Sequence, residues 1–180
     1  GQLSGLQELN IQNNLLTSLP PEIGQLVNLR ILRLDNNRLS HLPSGITQLV
    51  NLRELWLHNN QLTLLPPKFS TLVNLEQLTL DFNSLTKLPP KFGQLVNLCW
   101  LSLHNNPLAS LPLELRCLTK LIYLSYGNEG NAPIHRDKRS IIQLTRLRSG
   151  VHSLEIDIVP MQRGKRRRVT LLDIEASAYL

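Results

Sequence analysis

Aromatic residues are scarce, at 4% of a 180-residue chain that is 42% hydrophobic. A compact globule of this size would usually draw more Phe and Tyr into its core, so the shortage points to a thin, repeating architecture filled by Leu. The two cysteines, Cys99 and Cys117, are too few for a disulfide framework, and no CxxC pair is present. No run of 18 apolar residues exists, so no segment reads as a transmembrane helix. Charge of one sign is concentrated. Residues 1–120 hold nine Lys/Arg against seven Asp/Glu, and residues 121–180 hold ten against six, within a net charge of +6. Five of the six residues 163–168 are basic: Arg163, Lys165, Arg166, Arg167 and Arg168.

What is abundant is a period. Leu6, Leu29, Leu52, Leu75, Leu98 and Leu121 are each 23 residues apart, and so are Asn14, Asn37, Asn60, Asn83 and Asn106. Five complete units run from Leu6 to Lys120, and a sixth begins at Leu121 and decays. Gly1-Gln2-Leu3 repeats Gly24-Gln25-Leu26 and Gly93-Gln94-Leu95, so the chain opens inside a unit and reads as part of a longer protein. The first half of each unit is LxxLxLxxNxL, whose L-x-L alternation predicts a short strand with one buried face. Identical strands at one phase predict a parallel sheet. The second half carries Leu-Pro, then an apolar residue three on (Ile23, Ile46, Phe69, Phe92, Leu115) and Leu three later. That spacing predicts a short helical or 3-10 turn, with proline pre-setting its start. The expected fold is therefore α/β: a curved solenoid with a parallel concave sheet and short convex turns.

The Asn column has a structural reading. An amide carries both donor and acceptor, so a buried Asn can satisfy backbone groups at the bend after the strand and in the neighbouring unit. Asn83→Ala should then cost about 1–3 kcal/mol.

These motifs resemble the leucine-rich-repeat family, specifically its 23-residue LPxxIxxLxNL class, which includes Ras-suppressor-like intracellular proteins and many bacterial repeat proteins. The resemblance covers about two-thirds of the chain. It implies protein–protein binding on the concave sheet and names no partner. Secreted members usually close with cysteine-rich caps; their absence here favours a reducing, cytoplasmic setting.

Residues between the strand leucines should face the concave side. The third position collects Glu8, Ile31, Glu54, Gln77, Trp100 and Tyr123, and the fifth Asn10, Arg33, Trp56, Thr79, Ser102 and Ser125. The seventh collects Gln12, Asp35, His58, Asp81, His104 and Gly127, and the eighth Asn13, Asn36, Asn59, Phe82, Asn105 and Asn128. Both tryptophans fall in these columns. Large aromatics are costly to leave wet and dominate binding hot spots. Trp56, Trp100, Tyr123 and Phe82, edged by Arg33, are the expected partner-binding patch; the plainer alternative is a ladder that stabilises the sheet. Asp35, His58, Asp81 and His104 alternate along the seventh column. With strands about 4.8 Å apart, each His should reach an Asp. Cross-strand charge pairing is the first reading, a pH-tuned surface the second, and a metal site or His–Asp base the third. No metal or cofactor is assigned, and no nucleophile constellation supports an enzyme; Ser102 is the nearest hydroxyl.

Residues 1–126 form the expected solenoid and 127–180 a C-terminal capping region. The latter has a helix at about 140–149 and strands at about 154–159 and 169–174, the basic run being the turn between them. Cys99 and Cys117 read as ordinary thiols. The basic run reads as a solvated turn, with nuclear or nucleic-acid contact as the alternative. No aromatic is interleaved with it, and Asp35, Glu54 and Asp81 on the concave face argue against nucleic acid. Gly164-Lys165 is not a phosphate-binding loop, because the upstream glycine and the following Ser/Thr are missing. The expected function is a monomeric scaffold or signalling module that recognises another protein. A variant is the recognition arm of a larger enzyme or secreted bacterial effector.

Overall fold

The computed structural model describes residues 5–109 and 111–126, and the backbone of residues 156–158 and 167–169. One three-residue strand recurs in each repeat: β1 Glu8–Asn10, β2 Ile31–Arg33, β3 Glu54–Trp56, β4 Gln77–Thr79, β5 Trp100–Ser102 and β6 Tyr123–Ser125. They pair in chain order as one parallel six-stranded sheet. Every step of the register is one period. Glu8 lies opposite Ile31, then Glu54, Gln77, Trp100 and Tyr123 follow across the sheet. Residues 23 apart in sequence are therefore neighbours, and each sequence column is a physical row.

The chain returns to each new strand through a 3-10 turn: Pro21–Gln25, Ser44–Gln48, Phe69–Thr71, Phe92–Gln94 and Leu113–Cys117. Three to five residues are too few for an α-helix, and the tighter i to i+3 closure fits them. Pro20, Pro43 and Pro112 hold the extended backbone just before three of these turns. Successive turns pack closely. A Cβ on Gly45 would lie 2.1 Å from the Pro21 carbonyl oxygen, so only glycine fits there.

The core lies between sheet and turns. Leu32, Leu55, Leu78 and Leu101 of the strands, with Leu34, Leu57, Leu80 and Leu103 after them, are fully buried. Fully burying a leucine stabilises by about 1.5–3 kcal/mol, which makes this inner file the main driving force of the stack. Phe69 and Phe92 occupy the turn position that Ile23 and Ile46 fill earlier, and their rings stack at 6.4 Å and 1°. Leu9 in the edge strand is only half-buried.

Asn37, Asn60, Asn83 and Asn106 repeat one hydrogen-bond pattern. Asn83 Nδ2 donates to the Leu57 and Leu80 carbonyls, at 3.0 Å each, and to Asp81 O at 3.2 Å. Its Oδ1 accepts the Leu62 amide at 2.9 Å. One side chain thus closes its own bend and stitches two repeats. The exposed Asn14 side chain donates within its own repeat, to Ile11 O and Gln12 O. A second ladder runs along the other end of each unit: Asn51, Asn74 and Asn97 donate to Val27 O, Val50 O and Val73 O at 2.8–2.9 Å. Sequence reasoning missed it although the 23-residue spacing was visible.

The sixth repeat departs from the rule as its sequence does. Tyr126 stands in place of leucine, half-buried against the core, and its hydroxyl donates to Leu108 O at 3.4 Å. Beyond it, β7 Ile156–Ile158 pairs antiparallel with β8 Arg167–Val169. The first lies inside the expected 154–159 strand. The second begins earlier than the expected 169–174, so Arg167 and Arg168 belong to a strand and not to the turn. The ladder starts where Ile158 and Asp157 offer backbone partners, not where the apolar alternation starts. The helix expected at 140–149 lies outside the described residues, as do residues 170–174 and the rest of the expected cap.

Candidate functional site

The alternation of each strand sends Leu9, Leu32, Leu55, Leu78, Leu101 and Leu124 inward and leaves their neighbours on the concave face. The side chains there separate into two groups.

The first group spans β2 and β3. Arg33 and Trp56 are register partners, and the guanidinium carbon sits 5.4 Å from the indole centroid, a cation–π contact. Trp56 Nε1 donates to Glu54 Oε2 at 3.2 Å, and the His58 ring meets the indole edge-on at 6.1 Å. His58 Nε2 lies 3.6 Å from Asp35 Oδ2, and its Nδ1 is 3.2 Å from Thr79 Oγ1. Asp35 Oδ2 also accepts from Asn36 Nδ2 at 2.9 Å. Among the described residues, Asp35 Oδ1 and Arg33 Nε are buried without a hydrogen-bond partner.

The second group spans β4 to β6. Trp100 and Tyr123, again register partners, stack at 3.7 Å and 10°. Trp100 is 38% exposed. Asp81 is tied down: Ser102 Oγ donates to its Oδ2, and the His104 amide donates to its Oδ1 at 2.8 Å. The Tyr123 phenol lies over this network. Burial raises its pKa, a hydrogen bond with Ser125 lowers it, the nearby Asp81 carboxylate raises it, and a hydrogen bond with Ser102 lowers it; the balance is upward. Phe82 meets the His104 ring edge-on at 6.0 Å and 85°.

Phe82 also has an unusual backbone. The eighth position turns the chain through left-handed geometry, with φ of 52–56° at Asn13, Asn36, Asn59 and Asn105. Asn tolerates that region. Phe82 adopts φ 53° in the same place, where a bulky side chain is strained, and it is 49% exposed.

All nine residues expected to face a partner lie on this face, but not on equal terms. Asp35 is 4% exposed and lies under His58, so it supports the surface from below. Trp56 is half-buried between Arg33, Glu54 and His58, so it behaves as the ladder that was the plainer alternative. The expected pairing of each His with an Asp holds for His58. The His104 ring instead packs on Phe82, and its Nδ1 is buried without a hydrogen-bond partner among the described residues. Asp81 binds the backbone of His104, not its ring. The buried Ser102, the hydroxyl expected nearest this column, donates to Asp81, and its register partner Thr79 is the hydroxyl that stands beside His58.

Among the described residues, no group of three His, Cys, Asp or Glu side chains is placed to hold a metal ion, and no helix is long and apolar enough to cross a membrane. Cys99 and Cys117 are unpaired.

A family profile described as "Leucine rich repeat" matches residues 4–62 and 27–85, the same units that build this sheet. The chain is a leucine-rich-repeat protein. This leucine-rich-repeat chain is similar to a Leptospira interrogans LRR protein, with 46% identity and a TM-score of 0.66; the match covers 68% of this chain and 31% of that one. It is also similar to the leucine-rich repeat domain of the type III effector XopL, at 35% identity and TM-score 0.64, covering 69% and 45%. A TDR receptor matches at 32% identity and TM-score 0.62, covering 68% and 22%. The leucine-rich-repeat chain therefore spans less than half of each of these structures. A search of curated proteins gave no match.

Proposed function

We propose that the chain is a recognition module that holds a partner protein on its concave face, with the contact centred on β4 to β6. Leucine-rich-repeat folds are common protein-interaction modules, and the parallel sheet presents one continuous surface. The observation that carries the reading is Phe82. It bears two penalties at once, a wet aromatic ring and a left-handed backbone that costs about 1–2 kcal/mol for a bulky side chain. Four other repeats avoid both with Asn. Such strain is retained where it serves a surface.

Catalysis is not part of the reading. The hydroxyl beside His58 belongs to Thr79, 3.2 Å from Nδ1 and buried, and Ser102, also buried, donates to the Asp81 carboxylate. The similarity to an effector's repeat domain favours a second form of the same proposal, in which this module is the recognition arm of a larger protein. A reducing, cytoplasmic setting is consistent with Cys99 and the exposed Cys117, both unpaired.

The test is affinity capture by the wild-type chain, by Phe82→Asn and by a Trp56/Trp100 double variant, each checked for folding by thermal denaturation. Phe82→Asn should lose the captured protein while melting no lower than wild type. Equal capture by all three would reject the concave face as the contact.

A further inference from the structure

The molecule holds two exposed-face tryptophans in different states. Trp56 has a cation against it: Arg33, its neighbour on the preceding strand, stacks over the indole. Trp100 has no such cation among the described residues. Its neighbour on the preceding strand is the uncharged Gln77, and its neighbour on the following strand, Tyr123, covers one face of the ring. The indole is left 38% exposed.

Charge points the same way. In the four concave columns, Glu8, Asp35, Glu54 and Asp81 are carboxylates and Arg33 is the single guanidinium, on a chain whose net charge is +6. Glu54 stands beside Gln77 in the register, and Asp81 follows two residues after Thr79, at the end of β4. A cation approaching Trp100 over Gln77 would meet the Glu54 carboxylate on the next strand, with the Asp81 carboxylate four residues beyond Gln77. An anionic segment would meet Glu54 and Asp81 as like charges there.

We infer that Trp100 receives a lysine or arginine side chain from an extended basic segment of the partner protein, in the way Trp56 receives Arg33. Tyr123 backs the indole and keeps it upright. Asp81 and Glu54 set the sign of the ligand. This rests on the concave-face reading above and adds the chemistry of what docks there.

The test is selection of short random peptides, displayed on phage, against the immobilised intact chain, followed by measurement of the enriched peptides on variants. Trp100→Gln copies the residue that Gln77 already places in this column, so the fold tolerates it; Glu54→Gln with Asp81→Asn removes the charge. Enriched peptides should carry Lys or Arg. They should bind Trp100→Gln between about threefold and thirtyfold more weakly, the range of a cation–π contact from exposed to desolvated. Replacing the basic residue by citrulline or glutamine should have the same effect, and the charge-neutral double variant should lose the preference. Acidic or neutral peptides that still depend on Trp100 would overturn the cation assignment and leave concave docking standing. Peptides indifferent to Trp100→Gln and Phe82→Asn would overturn both, and failure to enrich any basic sequence would overturn the cation assignment.

Discussion

Asp35 with His58, and Asp81 with His104, occupy the same positions two repeats apart, yet they are wired differently. The difference is the residue at the fifth position of the second repeat in each pair. In the β4–β6 half it is Ser102, whose hydroxyl donates to Asp81; with the carboxylate held by Ser102 and the His104 amide, the imidazole turns to Phe82. In the β2–β3 half it is Trp56, which offers no donor to the carboxylate. Asp35 is left with Asn36 and the His58 ring, and one of its oxygens has no partner among the described residues. The same tryptophan is satisfied by Arg33, Glu54 and His58. The N-terminal half of the face is thus closed on itself through its side chains. The C-terminal half holds Asp81 beneath through Ser102 and the His104 amide and leaves Trp100 and Phe82 exposed.

The scale for breaking this comparison is set by the Asn ladder, which both halves share. Asn83→Ala strands the Leu62 amide in the interior and removes one of two amide donors from the Leu57 and Leu80 carbonyls, which keep Asn60 and Asn106, and should lose about 1–3 kcal/mol of stability in urea unfolding. Asn14→Ala, with two exposed local bonds, should be close to silent, and equal losses would show that the ladder does not stitch repeats. Next comes the asymmetry itself. Asp81→Ala leaves Ser102 and the His104 amide unpaired and should cost about 2 kcal/mol, whereas Asp35→Ala should cost less than half of that. Comparable values in a urea series would mean the two halves are not wired differently.

Phe82→Asn is smaller and of opposite sign. Returning the repeat's usual residue to a φ of 53° should stabilise by about 1 kcal/mol, read as a higher melting temperature; a lower one would remove the strain argument. The smallest effect is alkaline. Tyr123 and Tyr126 both have raised pKa values, in each case chiefly through burial. Their neutral forms are favoured by folding, so that contribution is present below the unfolded tyrosine value of about 10 and is lost as pH rises through the folded values. Ultraviolet titration should show both ionising late, and Asp81→Asn should bring Tyr123 down while leaving Tyr126 in place.

Much of the sheet was legible before any coordinates. A 23-residue period that locks Leu6 to Leu121 and Asn14 to Asn106 dictates stacked copies, and the alternation within LxxLxL says which side chains face out. The second ladder of Asn51, Asn74 and Asn97 carried the same spacing but ends each unit beside an exposed valine, with no patterned neighbour to suggest a backbone partner. The cross-strand detail was harder. Whether a His reaches an Asp depends on what stands next to both, and two aromatics in adjacent columns can be closed in or open.

The sequence alone determined the repeat, the register of the strands and the membership of the concave face, because hydrophobic burial and strand alternation act at every unit in the same way. The tertiary structure decided that Trp56 is occupied and Trp100 open, that Asp35 lies beneath the surface, and that Arg167 and Arg168 enter a strand. Those outcomes depend on contacts between residues on neighbouring strands, where a single exchange such as Trp56 for Ser102 redirects the hydrogen bonds around it.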